Sequence, residues 1–472
     1  MKRTLTLILP YALFIIFALW MLPLKNGFML RWYDEMSLFE PDAFRGFLLY
    51  PGGIFRYAGT FMTQFLYYPW LGATILIAIW LLDAFLAESA FRLHGVRRPL
   101  SFLIPFCLLA SILHFDEAAI SFESQGYVFY NTLGFTFSLA ACWLFSKLEH
   151  HDTLRSILAI ILPLLYPLAG FFALLPAIVC AIYLGIKAVC KRKLLTGAFA
   201  TADFILAVAV PLIYYRYFPG TTVDNDYLYL KGLPELTMND YDLYLWYPFM
   251  IASLLIIVFP FIIGFAKVSS SKVTALCSWS LFAVAILCCF KEDRKKTEQL
   301  RATVLMTQAI ADHDWRKAVN IMSFTKESPN YSMCVLDNLA RAYAGFERRS
   351  TAGMMPGGSD FRHDEDFTIT AFVNVPVNHH IGRFNQSHRW ATEHNVQYGN
   401  KVYFIKYTVL NALMNGDLVF AKKFNRLLER TMFHRSWAED INRIIDNPST
   451  INTLPDYDHL MYLRSEEIMR GE

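Results

Sequence analysis

Long apolar runs, broken by short polar stretches, occupy residues 1 to 290 of the 472-residue chain, and from 291 onward apolar positions recur at helical spacing among charged ones. The runs cover 5–24, 68–91, 99–115, 126–146, 153–169, 170–188, 197–216, 247–266 and 272–290. Most of them approach or exceed the ~18 to 20 residues that a helix needs to cross ~30 Å of hydrocarbon. So many runs cannot all be core helices of a soluble fold, and a β-barrel would instead show ~10-residue alternating segments. The pattern predicts an all-α chain: a polytopic transmembrane helical bundle of about nine spans over 1–290, then a soluble α-helical domain over 291–472. Pro163, Pro167 and Gly170 supply turn chemistry that would fold 153–188 into a tight hairpin.

In the polar third, helices are predicted over 297–311, from Asp314 through Val319, and over 332–344, where Leu336, Leu339, Ala340 and Tyr343 share a face. A later pair covers Tyr403–Leu413 and Val419–Thr431, joined by Asn415-Gly416-Asp417. This helix, Gly-Asp turn, helix arrangement resembles tetratricopeptide repeats, although no ~34-residue period runs through the region. Residues 346–400, between the pairs, read as an irregular insertion.

Charge adds an orientation. A net charge of +3 is too small to argue for a nucleic-acid partner. With the N-terminus in the cytoplasm, the inner connections carry 13 Lys and Arg residues, including Arg92, Arg97, Arg98, Lys187, Lys191 and Arg192, against six in the longer outer ones. That bias follows the positive-inside rule and puts the C-terminal domain on the outer side, which in a bacterial inner membrane is the periplasm. Lys291 to Lys296 is a basic flank that resists this placement. Met1-Lys2-Arg3 leads straight into apolar residues with no small-x-small site after them, which reads as an uncleaved first span. Of eight cysteines, all but Cys334 lie in or beside apolar runs and none forms a CxxC pair, so they read as apolar fillers.

Candidate chemistry gathers in the outer connections. The first, residues 25–67, holds Arg31-Trp32-Tyr33-Asp34-Glu35 and Tyr50-Pro51-Gly52-Gly53. Carboxylates such as Asp34 and Glu35 can bind a divalent cation, Mg or Mn, through hard oxygen ligands or serve as a general base. The second holds Asp116 and Glu117, then Glu123 and Tyr127. Arg31 and Arg56 present guanidinium forks suited to a phosphate. The plainer reading is that outer loops are depleted in Lys and Arg by topology alone, so acids there are expected, and the arginines pair with them. Asp83, Glu88 and Asp203 lie near the ends of apolar runs and read as interface anchors rather than a proton relay.

Tyr50-Pro51-Gly52-Gly53, the segment from Phe122 to Tyr127 and the soluble C-terminal region give the whole chain a resemblance to an uncharacterised family of Bacteroidota multi-pass membrane proteins. More remotely, residues 1–290 resemble GT-C-type polyprenyl-phosphate-sugar-dependent glycosyltransferases. In those enzymes an acidic residue or pair follows the first span and a second acidic motif follows the third, the places of Asp34-Glu35 and Asp116-Glu117. The resemblance implies transfer of a sugar from a polyprenyl-phosphate donor to an external acceptor, with Asp34 or Glu35 activating the acceptor hydroxyl or orienting a cation and Arg56 holding the phosphate. Two other readings stand beside it. One is a non-catalytic membrane scaffold that meets an envelope protein partner through residues 297–431. The other is an envelope lipid or polysaccharide transporter. Contact with membrane lipids is common to all three.

Overall fold

The structure, a computed structural model, describes residues 2–114, 125–192, 194–217, 225–234, 246–265, 271–290, 294–325, 329–347 and 367–470. Asp116, Glu117 and Glu123, and the acids at 224 and 235–242, lie outside the described residues. The chain forms two compact units that are discontinuous in sequence. The first takes the described residues of Met1–Leu30, Pro41–His114 and Ser124–Lys291, and the second takes Arg31–Glu40 together with those of Glu292–Glu472.

The helices of the first unit are α1 (Lys2–Leu19), α2 (Asn26–Glu35, which continues past Leu30 into the second unit), α3 (Gly53–Thr63), α4 (Pro69–Ala90), α5 (Leu103–Leu113) and α6 (Tyr127–Lys147). They are followed by α7 (Asp152–Leu164), α8 (Phe171–Lys191), α9 (Leu194–Tyr217), α10 (Tyr247–Phe265) and α11 (Ser271–Cys288). Among the described residues, six helical stretches are long and apolar enough to cross a membrane, rather than the expected nine: Ile8–Glu35, Pro69–Ala90, Gly95–Leu113, Tyr127–His150, Phe171–Cys190 and Leu194–Tyr217. The shortfall has local causes. The run expected over 153–169 stops at Leu164 and resumes for a single turn, Tyr166–Ala169, because Pro167 lacks the N–H that would continue the ladder. α10 and α11 carry shorter apolar stretches, Tyr247–Phe261 and Lys272–Cys288. The exposed faces of the long helices are themselves apolar, as at Phe204, Ile205, Leu212 and Ile213 of α9. In water such a surface would drive aggregation; in lipid it is the expected solvent-facing side of a multi-pass bundle.

Polar anchors hold this bundle at defined points. Glu88 of α4 accepts hydrogen bonds from Arg98 Nε and, at 3.2 Å, from the hydroxyl of Tyr11, so α1 is tied to α4 at a neutralised acid. The Gly52-Gly53 step serves backbone packing. Gly52 has φ 83°, and a Cβ on it would fall 2.6 Å from Gly232 Cα. Gly170, with φ 56°, meets the same spot, where the Phe171 N–H donates to Lys231 O at 2.7 Å. Only residues without a side chain let these segments approach so closely.

The second unit is a run of antiparallel-type helices: α12 (Arg294–Ala311), α13 (Trp315–Phe324), α14 (Tyr331–Ala344), α15 (Phe367–His380), α16 (Phe384–Tyr398), α17 (Val402–Met414), α18 (Leu418–Glu429), α19 (Arg435–Asp446) and α20 (Tyr457–Arg470). From α12 to α14 and from α15 to α19, each packs on its neighbour in sequence, a repeat-like organisation. Asp314, Asn330 and Asp417 cap α13, α14 and α18 by accepting the N–H three residues on. Gly416, with φ 78°, makes the turn before Asp417. Two helices lie inside the stretch expected to be irregular. α15 is rich in β-branched residues and carries Pro376, which hides it from propensity, yet Ala371, Phe372, Val373 and Val375 are all buried. Burial on several sides outweighs weak intrinsic preference there.

Candidate functional site

Two of the acidic candidates, Asp34 and Glu35, lie in the second unit and are enclosed by it. They sit in the last turn of α2, 3% and 8% exposed. Around them, segment Arg31–Glu40 is built into the helical domain. Trp32 is fully buried and meets Phe372 of α15 edge-on, with ring centroids 4.1 Å apart. Leu38 joins the apolar core of Val402, Ile405, Val409 and Leu413. At the far end Asn400 Nδ2 donates to Glu40 Oε1 at 3.0 Å.

Each charged side chain from Arg31 to Glu35 has a polar or charged partner. Arg31 forks onto Asp312, with Nη1 to Oδ2 at 2.9 Å and Nη2 to Oδ1 at 2.7 Å, and its Nε donates to Glu35 Oε1 at 3.0 Å. His434, just before α19, lies with Nε2 2.9 Å from Asp34 Oδ2. Lys406, half-buried on α17, stands within electrostatic reach of both Glu35 and Asp34. Burial lowers the Lys406 pKa, and the two carboxylates act against that shift. Two buried carboxyl groups, Asp34 and Glu35, and the exposed Asp312 therefore face a guanidinium, an ammonium and an imidazole. This set does not suit a divalent cation at Asp34 and Glu35, since Arg31 and Lys406 already supply the positive charge that a metal would bring. Among the described residues no group of three or more His, Cys, Asp or Glu is arranged to hold a metal ion.

The remaining candidates belong to the first unit. Arg56 is half-buried on α3, where its carbonyl accepts from Thr60 Oγ1 at 3.1 Å. The hydroxyl of buried Tyr127 donates to Ser111 O at 2.7 Å, a strut between α6 and α5. The sequence reading missed Lys406, His434 and Asp312. Lys406 as the only charged residue in the run from Val402 to Met414 was the one available signal.

Histidine burial makes the second unit acid-sensitive. Burial lowers the pKa of His434, with Asp34 acting against the shift; it brings His379 to about 4 and His394 to about 2, and holds His380 well below its usual range. These rings are neutral in the fold, whereas the unfolded chain takes up protons near ~6.5. Between those values the unfolded state binds more protons at these histidines, so their contribution to stability is fullest above pH ~6.5 and falls as pH drops toward ~4, opposed in part by Asp34 and Glu35, whose pKa values burial raises. Urea unfolding of the second unit, followed by amide exchange in α15 to α17, is expected to show a falling midpoint over that window; a flat midpoint would contradict the neutral assignments.

Comparison with curated proteins and with solved structures gives no match. A family model, described as a family of unknown function (DUF6057), does match the chain over residues 2–469. Covering both the apolar bundle and the helical unit that encloses Asp34 and Glu35, the match shows that this multi-pass membrane protein belongs to the DUF6057 family.

Proposed function

We propose that this protein is a membrane-anchored helical binding module, in which the bundle fixes a repeat-like domain at the membrane and that domain meets an envelope protein. The observation that carries this reading is the enclosure of Asp34 and Glu35 among Arg31, Lys406 and His434. A transferase working through these carboxylates needs at least one of them to face an acceptor hydroxyl. Their burial supports a different use: they fasten Arg31–Glu40 as a strut inside the domain that would meet the partner.

The same strut supports a side for the domain. Arg31–Glu40 follows the first span and is part of one compact unit with residues 294–470, so both lie in one compartment. The chain then crosses the membrane an even number of times between them. Five long apolar stretches intervene, so an odd number of α7, α10 and α11 complete the crossings. With Lys and Arg concentrated on the cytoplasmic connections, the second unit lies on the outer face.

Val396 and Val419 stand 82% and 85% exposed on the second unit. A photocrosslinking amino acid at either position, in cells, is expected to yield a discrete adduct with one envelope protein. Absence of adducts there and at neighbouring exposed positions would count against the module. Turnover of a polyprenyl-phosphate sugar by the purified protein, lost in Asp34→Asn and Glu35→Gln while the unfolding midpoint holds, would replace it with the transferase.

A further inference from the structure

Arg155 is a buried cation whose inner nitrogens have no acceptor. It lies in the first turn of α7, 4% exposed, with its guanidinium over the rings of Phe145 and Tyr183 at 4.1 and 4.3 Å from their centroids. Its Nε and Nη1 are buried and hydrogen-bonded to no protein atom. The acids beside it in sequence are engaged: Glu149 by Arg92, and Asp152 by Lys187 at 2.5 Å. Asp203 of α9 is also buried without a hydrogen bond, but it does not line the space that Arg155 faces.

That space is a cavity of about 170 Å³, lined by Arg92, Cys142, Phe145, Glu149, Arg155 and Tyr183 among others. It opens among the end of α4 and the residues after it, the end of α6, the start of α7, the middle of α8 and Pro260 of α10. With Arg92 and Glu149 neutralising each other, the wall is left with the charge of Arg155. The charge would stay uncompensated in a low-dielectric surround, at a cost of several kcal/mol. A phosphate in the cavity supplies that counter-charge, and a guanidinium whose faces are already fixed by two rings meets it in a set orientation. Leu154, Ile157, Ile161 and Leu164 are exposed along the outer side of the same helix, an apolar track at helical spacing that suits acyl chains.

We propose that this cavity binds the phosphate group of an anionic phospholipid, drawn by the guanidinium charge of Arg155 in its wall. The site is independent of the binding-module reading, since all its residues belong to the first unit.

The test uses the full-length protein in phosphatidylcholine nanodiscs, with the unfolding midpoint and native mass spectra as readouts. Short-chain phosphatidylglycerol or inorganic phosphate is added in separate series. Phosphatidylglycerol is expected to raise the wild-type midpoint and to appear as a retained lipid; Arg155→Gln should abolish both effects. Arg155→Lys keeps the charge but loses the planar group fixed by the two rings, and should bind about tenfold more weakly, or about 1.4 kcal/mol. It also keeps the comparison informative if the glutamine variant does not fold. Equal protection by inorganic phosphate would support the anion site and overturn its lipid source. No response of wild type to either ligand, or an undiminished response in the Arg155 variants, would overturn the site.

Discussion

Trp32→Ala is expected to cost the second unit about 3–5 kcal/mol, the usual range for emptying a fully buried aromatic site. The indole is enclosed and packed edge-on against Phe372, with Tyr403 also beside it, so its removal leaves a void that α15 and α17 can fill only by shifting. Two-thirds or more of a typical domain's stability of ~5–15 kcal/mol would be at stake only at the low end of that range, so a partly folded second unit is the expected outcome, with amide protection lost first in α15 and α17. Trp70→Ala makes the control: Trp70 stands 54% exposed in the first unit and should change little. Equal and small effects of the two substitutions would remove the argument that Arg31–Glu40 is a structural strut.

Lys406→Met is expected to be nearly as damaging, by a different route. It leaves Asp34 and Glu35 with less compensation in the interior, and breaking a buried ionic set from one side typically costs about 3–5 kcal/mol. The pairing predicts its own rescue: Glu35→Gln added to Lys406→Met removes the orphaned charge and should recover a large part of the loss. Urea unfolding of both single variants and the double variant measures that coupling. Strict additivity would mean that Lys406 and Glu35 do not sense each other. The same series separates the two functional readings, because a catalytic Glu35 would lose turnover without any such dependence of stability on residue 406.

Much of the fold is legible along the chain because it is local. Apolar runs report membrane helices directly, and Asp314, Asn330 and Asp417 mark helix starts through hydrogen bonds three residues long. The failures have physical causes too. An apolar count does not register that Pro167 cuts 153–169 short, and helical period is weak in α15, where tertiary burial rather than preference makes the helix. The site shows the division most clearly. Asp34 and Glu35 stand out as an acidic pair after a span, but their partners are Asp312, Lys406 and His434, hundreds of positions away, and no spacing rule reaches them. What looked like an external loop of the bundle is thus part of another domain.

Placing the strut at one end of the chain and its socket at the other has a consequence for synthesis. Asp34 and His434 are 400 positions apart, and ribosomes add ~5–20 residues per second, so the strut waits about 20 to 80 s for its socket. During that interval the bundle is being inserted while Trp32 and its neighbours remain uncovered at the membrane surface, where holding factors can reach them. Ring closure comes last, after α17 and α19 have emerged, and it converts the bundle beyond residue 40 into an insertion between two pieces of one domain. A chain released early, before residue 434, would carry an intact membrane region and a domain that cannot close, which makes completion of the C-terminus a built-in checkpoint on the whole molecule.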